Sequence, residues 1–258
     1  MITTEGVVCM KLIVFDLDDT LLNSKEVVSV RNRQAIQNCH MKGMKIGYIT
    51  LRSPRKIKTF LQRLPCDCIA HYNGALIYAD NSLIMENVIE YSNAINFINK
   101  VTEIAPGIGV SAYFEPYCYK DKKIRSHITQ EILEYDLNST PHHNFQRIRL
   151  FTQDYENIDF SQYISSEMQY QKSNNTAVIT NKFVDKGKAL ETLIRYFDIE
   201  KEQTISFGDN INDIPMLIAS GTGVAMGNAV SHVKDIADYI TLSNDEDGVA
   251  EYIESYLL

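Results

Sequence analysis

The sequence predicts an α/β fold, a doubly wound and mostly parallel sheet interrupted by an inserted α+β domain. Three observations lead there. Short apolar runs rich in β-branched residues, such as Leu12-Ile13-Val14-Phe15, end in polar groups, as buried parallel strands do. These runs alternate with stretches of helical character at both ends of the chain, the pattern of right-handed βαβ units. From about Ser82 to Lys182 the texture changes to tyrosines, asparagines and polar strands. The expected division is 1–81 with 183–258 for the sheet domain, and 82–182 for the insert.

The elements follow in order. Lys11 opens the first strand, which ends in the carboxylates of Asp16 and Asp18. Apolar Val30, Ile36 and Met41 among polar neighbours predict a helix closed by Lys42-Gly43. A second strand, MKIGYIT, ends at Thr50, and Ser53-Pro54 signals a helix running to about Leu64. IAHYN and ALIYA predict a strand and a hairpin through Asn73-Gly74. Within the insert, GVSAYFEPYCYK predicts polar strand, with helical stretches beginning near Ser92 and Asp154. Alternation then returns, with helix on KGKALETLIRYF, strand on QTISFGD, helix on NDIPMLIAS and strand on GVAM. A helix from Ala229, a short strand on DYIT and a helix from Asp247 to Leu257 complete the chain.

Composition excludes several classes. With 258 residues, 45% hydrophobic and 22% charged, the chain has the makeup of a globular protein able to bury a sizeable core. No run approaches the ~18–20 apolar residues of a membrane span, and MITTEGVVCM lacks the basic start and apolar core of a signal peptide, so no membrane partner and a cytoplasmic address are expected. The first nine residues read as an extension before a strand that Met10 could itself begin. A formal charge of −8 disfavours nucleic acid, which is bound by basic faces. Five scattered cysteines read as reduced thiols, and Cys66 with Cys68 lacks a second pair at zinc spacing. The His142-His143 pair reads as exposed loop, Gly221, Gly223 and Gly227 as turn and strand glycines, and Tyr113 to Tyr119 as half-buried strand that could also line a pocket. Oligomeric state is not legible.

In doubly wound sheets ligands bind outside the carboxyl ends of the strands. Asp16 and Asp18, Thr50, and Asp209 with Asp213 all fall at such ends, and Lys186 begins the helix after the insert. Carboxylates crowded into one crevice repel, and a hard cation such as Mg²⁺, which takes oxygen ligands, relieves them.

These residues also stand in a known order. Leu12 to Thr20 matches hhhhDxDxT, Thr50 is a strand-ending hydroxyl, Lys186 sits in DKGKAL, and Gly208 to Asp213 matches GDxxND. The sequence thereby resembles the haloacid dehalogenase superfamily over nearly its whole length, in particular the Cof-type phosphatases, whose C2-type cap is inserted between the second and third motifs. The resemblance implies a phosphatase of small phosphorylated metabolites, of the sugar phosphate, FMN or pyridoxal phosphate type. Asp16 would attack phosphorus, and Asp18 would protonate the leaving oxygen and then take a proton from water. Lys186 and Thr50 would position the phosphoryl group. It further implies Mg²⁺ held by the carboxylates of Asp16 and Asp209 and the backbone carbonyl of Asp18, with Asp213 acting from behind or through water. Asn212 would help hold ligand, and Asn73-Gly74-Ala75 resembles a substrate-facing turn. One departure stands out: Thr50-Leu51-Arg52 replaces the usual Thr-Gly-Arg, and since Leu does not share the ready access of Gly to positive φ, a rearranged loop around Leu51 and Arg52 is expected.

Other readings use the same residues. A phosphotransferase or phosphomutase would pass the phosphoryl group to an acceptor other than water. A receiver-like signalling module also gathers acids, Thr and Lys around a phosphorylated Asp, but is about half this length and places its acceptor at a later strand. A non-catalytic binder of phosphorylated ligands has only Leu51 in its favour.

Overall fold

The computed structural model describes residues 10–57, 61, 63–115, 117–120 and 143–258. The chain divides into two compact units, the described residues of Met1–Met85 with Asp185–Leu258, and Glu86–Val184.

The larger unit opens with β1 (Leu12–Phe15), α1 (Val30–Met41), β2 (Lys45–Ile49), α2 (Pro54–Ile57), β3 (Cys68–His71), β4 (Leu76–Ala79) and β5 (Ser82–Glu86). The smaller unit carries α3 (Tyr91–Ile104), β6 (Gly109–Phe114), β7 (Tyr117–Lys120), β8 (Arg147–Phe151), β9 (Met168–Ser173) and β10 (Thr176–Asn181). The larger unit resumes with α4 (Lys186–Phe197), β11 (Thr204–Gly208), α5 (Ile214–Ala219), β12 (Thr222–Ala225), α6 (Ser231–Ile236), β13 (Tyr239–Ile240) and α7 (Gly248–Tyr256). The division at 85/86 differs from the expected 81/82 by β5, a strand that lies on the sheet of the larger unit.

Among the described residues, eight strands form the larger sheet in the order β13-β12-β11-β1-β2-β3-β4-β5. Strands β13 through β3 in this order pair in parallel, and β4 returns antiparallel on β3. From β1 the chain winds outward through β2 and β3, and after the insert it returns to β11 and winds the other way. The order therefore reverses between β1 and β11, which opens a crevice at their carboxyl ends. β1 is buried on both faces, and its period of two explains how. Ile13 and Phe15 join the cluster that includes Ala35, Ile36 and Cys39 of α1 and Val249 and Ile253 of α7, while Leu12 and Val14 join Ala189, Leu190 and Leu193 of α4.

Side chains cap two of the helices. Ser29 accepts the backbone N–H of Asn32 at the start of α1, and Asp185 accepts that of Lys188 at the start of α4. Two expected helices differ. The one from Pro54 is described as helix over Pro54–Ile57 and does not include Leu61, Arg63 and Leu64; 58–60 and 62 fall outside the described residues. Leu64 precedes Pro65, a position that disfavours helical backbone. The helix expected from Asp154 is instead a series of turns with one tight helical turn, Phe160–Tyr163, where the Asp159 carboxylate takes the backbone N–H of Ser161.

In the smaller unit, an antiparallel sheet runs β7-β6-β8-β10-β9. Val110, Ala112, Ile148, Leu150, Ala177 and Ile179 form one face, and they share a core with Ala94, Phe97, Ile98 and Val101 of α3. Cys9 and His142 fall outside the described residues; His143 is exposed, Cys66 exposed and Cys68 buried, and all the described cysteines are free. Among the described residues no helix is long and apolar enough to cross a membrane.

Candidate active site

The strand ladder carries the first carboxylate into the crevice. The backbone N–H of Asp16 donates to Phe207 O at 3.0 Å, one residue past β1, and leaves the side chain at the strand mouth, 5% exposed. Next to it, Thr50 ends β2 with its N–H on Ala70 O, and its buried Oγ1 accepts the backbone N–H of Arg52 at 3.1 Å. On the other side, Gly208 ends β11 and Asp209 follows it. A Cβ at Gly208 would stand 2.5 Å from the Cβ of Asp213, so this glycine lets the next acid fold back against the strand.

Lys186 joins them from the first position of α4, a place where the helix macrodipole disfavours a cation. Carboxylates hold it there nonetheless. Its Nζ lies 2.7 Å from Asp16 Oδ1 and 2.5 Å from Asp213 Oδ1, and it is 1% exposed. Asp213 Oδ2 accepts the backbone N–H groups of Asp209 and Asn210, each at 3.0 Å. Both oxygens of Asp213 are thus engaged by the protein. Asp209 Oδ1 accepts the hydroxyl of Thr20 at 2.7 Å. Oδ2 of Asp16 and Oδ2 of Asp209 make no hydrogen bond among the described residues.

The electrostatics follow from burial. Burial first, and the charge of Asp213 next, push the Asp16 carboxyl well above the ordinary carboxylate range, against the pull of Lys186. Asp209 is pushed up to about 6, again mainly by burial, with the hydrogen bond from Thr20 opposing. Burial alone would lower Lys186, but Asp16 and Asp213 outweigh it and raise its pKa. Three buried acids whose ligand oxygens lie within 4.8 Å of one another share this single ammonium. The excess negative charge and the two uncommitted oxygens fit a hard divalent cation bound by Asp16 and Asp209, with Asp213 behind them fixing Lys186 and the loop.

The remaining expected residues are placed unevenly. The carboxylate of Asp18 lies outside the acidic set and is gripped by Arg52, whose Nε reaches its two oxygens at 2.9 and 3.0 Å while Nη2 contacts Oδ1. The acid role expected of Asp18 would therefore require it to leave Arg52. Leu51 has no positive φ and turns a side chain 37% exposed to solvent, so the loop does without the conformation that Gly would offer. Asn73 donates its backbone N–H to Thr50 O at 2.8 Å, has φ of 59°, and holds a buried Oδ1 without a hydrogen-bond partner among the described residues. Gly74, at φ of 109°, packs against α4, where a Cβ would come within 3.0 Å of Ala189. Asn212 is half-buried next to Asp213.

Two residues of the site had been given no role. Thr20 orients Asp209, and Asn228 donates Nδ2–H to Asp19 O at 2.7 Å, just after the acidic pair. Thr20 was visible as the last letter of the first motif. Asn228 lay beside a glycine read only as a turn.

Comparison with known proteins identifies the family. The model of the haloacid dehalogenase-like hydrolases matches residues 13–253. A putative phosphatase of Haemophilus influenzae is 30% identical over 258 residues, covering 95% of this chain and 97% of that one. The 5-amino-6-(5-phospho-D-ribitylamino)uracil phosphatase YcsE of Bacillus subtilis is 28% identical over 261 residues, 96% of each chain. A haloacid dehalogenase-like hydrolase from Bacteroides thetaiotaomicron of known structure superposes with a TM-score of 0.86 at 27% identity, over 95% of this chain and 99% of that one. The chain belongs to the haloacid dehalogenase-like hydrolases, and its four motifs assign it to their Cof-type phosphatases.

Proposed function

We propose that the protein is a Mg²⁺-dependent phosphatase of small phosphorylated metabolites that works through an aspartyl phosphate on Asp16. The observation that carries this reading is the buried ammonium of Lys186, held between Asp16 and Asp213 at the mouth of β1 with Asp209 alongside. A carboxylate so placed serves as nucleophile: an oxygen of Asp16 attacks phosphorus, the ester P–O bond breaks, and Asp18 gives its proton to the departing oxygen. Water then attacks the phosphorus of the acyl phosphate, Asp18 takes its proton, and the carboxylate of Asp16 and inorganic phosphate are released. Lys186 and the hydroxyl of Thr50 stabilise charge on the transferring group. The carboxylates of Asp16 and Asp209 and the carbonyl of Asp18 would hold Mg²⁺, which supplies further neutralisation of phosphoryl charge.

The smaller unit is read as the inserted cap, which chooses the leaving group, and Leu51, Arg52, Asn73, Gly74 and Asn212 as residues that contact substrate. The name of the B. subtilis relative, a phosphatase of a phosphorylated ribitylamino pyrimidine, supports a small phosphate monoester as substrate. Sugar phosphates, FMN and pyridoxal phosphate are candidates of that class. A cytoplasmic address belongs to the same reading. The purified protein is expected to hydrolyse p-nitrophenyl phosphate with Mg²⁺ present, to stop on addition of EDTA, and to lose turnover in Asp16→Asn; turnover that survives this substitution contradicts the proposal.

A further inference from the structure

Three loops of the larger unit converge on the turn at 226–230, which follows β12. At one end Met226 donates its backbone N–H to Gly208 O at 3.0 Å, and at the other Val230 donates to Asp209 O at 3.1 Å. The turn is therefore keyed to the backbone that carries Asp209. Gly227 donates to Leu242 O at 2.9 Å, and a Cβ there would stand 2.7 Å from Ser243 N, so the turn also lies against the loop that precedes α7. Asn228 makes the third junction through both ends of its amide. Its Nδ2 donates to Asp19 O at 2.7 Å, and its Oδ1 accepts the backbone N–H of Asn244 at 2.9 Å. Exchanging the two ends would break both bonds, because a carbonyl cannot donate and a backbone N–H cannot accept.

What Asn228 grips bears on the site. Asp19 stands at φ 56° and ψ 7°, a left-handed conformation that residues other than Gly adopt uncommonly, directly after Asp18 at φ −69° and ψ 129°. This change of direction sets the peptide between Asp18 and Asp19, and with it the Asp18 carbonyl. Within the turn, Leu22 donates its N–H to Leu17 O at 2.8 Å. From outside, the segment is held by Asp209 on the hydroxyl of Thr20, by Asn228 on Asp19 O, and by Asn244 Nδ2 on Leu22 O at 3.0 Å. Asn244 is buried and bonded to Asn228, so the two asparagines form one brace. Through Val230 and Asn228, the turn thus fastens the backbone of Asp209 and that of Asp19 to each other.

We propose that Asn228 is a positioning residue for the metal centre, one that raises the affinity for Mg²⁺ by fixing the Asp18–Asp19 peptide relative to Asp209 without ligating the ion itself. The proposal rests on the reading of the Asp18 carbonyl as a Mg²⁺ ligand beside Asp16 and Asp209. Groups that orient metal ligands from behind are worth about 10–100-fold in affinity. Asn228 is exposed and lies outside the core clusters of its unit, so a substitution there spares the packing of the sheet.

The test uses the full chain with MgCl₂ as probe and no substrate. Tm is followed against Mg²⁺ concentration, and its rise gives Kd by linkage. Asn228→Ala removes both hydrogen bonds, whereas Asn228→Asp keeps the acceptor for Asn244 and loses the donor to Asp19 O. An added negative charge near the site would by itself favour a cation, so charge and positioning predict opposite signs for Asn228→Asp. Kd is expected to rise at least about tenfold in both variants. A smaller rise in either one, or a Tm lowered equally at every Mg²⁺ concentration, makes Asn228 a structural residue and overturns the proposal. If the Tm of the unaltered chain does not respond to Mg²⁺, the metal reading fails and takes the proposal with it. A normal response there beside an unchanged Kd in the variants sinks the proposal alone.

Discussion

Lys186 is the residue on which the arrangement turns, because its buried ammonium pairs with both Asp16 and Asp213. Lys186→Met is expected to lower kcat by about 10²–10³. Removing one partner of a buried ion pair costs about 3–5 kcal/mol, and since Asp16 can relieve the loss by taking up a proton, urea unfolding in EDTA should show a larger penalty at pH 8 than at pH 5. Asp209 gives a second pH signature. Burial pushes it up to about 6, and a metal must displace that proton below this value, so the rise in Tm caused by Mg²⁺ should be larger at pH 7.5 than at pH 5. His71 is shifted the other way, and its linkage appears in the stability of the protein itself. It is 5% exposed, its Nδ1 lies 3.3 Å from Arg52 O, and burial lowers its pKa to about 4 from 6.5. The unfolded chain binds the proton first, so stability is complete above pH 6.5 and falls as pH drops toward 4, by roughly 3 kcal/mol. Urea unfolding of His71→Gln against the unaltered chain should show this slope removed. At this scale, the acids, Thr50 and Lys186 were legible because each ends a strand or begins a helix. The partnerships of Thr20 with Asp209 and of Asn228 with Asp19 were not, since they join residues 189 and 209 positions apart.

Elements hold these residues through close backbone approaches rather than through long side chains. Gly187, the second residue of α4, lies so near α5 that a Cβ would stand 2.6 Å from Pro215 O. Gly187→Ala should therefore push the two helices apart, cost about 1–3 kcal/mol in urea unfolding, and lower kcat by moving Lys186 at the same helix end. An unchanged Tm and kcat would show that the helices give way freely. Such elements were legible where the apolar pattern was regular: α1 runs from Val30 to Met41 before Lys42-Gly43, and α4 covers KGKALETLIRYF, as expected. They were less so where local chemistry competed. Leu64 precedes Pro65 and lies outside the helix that starts at Pro54, and Asp159 diverts a backbone donor in the region from Asp154. The strands β8, β9 and β10 were not separately legible, because half their residues are polar and face away from the core.

For the whole molecule, strand order explains why four distant stretches of sequence supply one site. β1 and β11 are neighbours although almost two hundred residues separate them, and only a doubly wound order brings Asp16, Thr50, Lys186 and Asp209 to one crevice. That order could be anticipated from the alternation of elements and from motif order. The chemistry that selects a substrate could not, since the smaller unit carries no motif that translates into a ligand. The central claim is that the phosphoryl group passes through Asp16. Rapid quenching during turnover of a ³²P-labelled substrate, followed by borohydride reduction and peptide mass spectrometry, tests it most directly. The account predicts an acyl phosphate whose reduction converts residue 16 to homoserine. Turnover with no label on the protein, or label on any other residue, would contradict it.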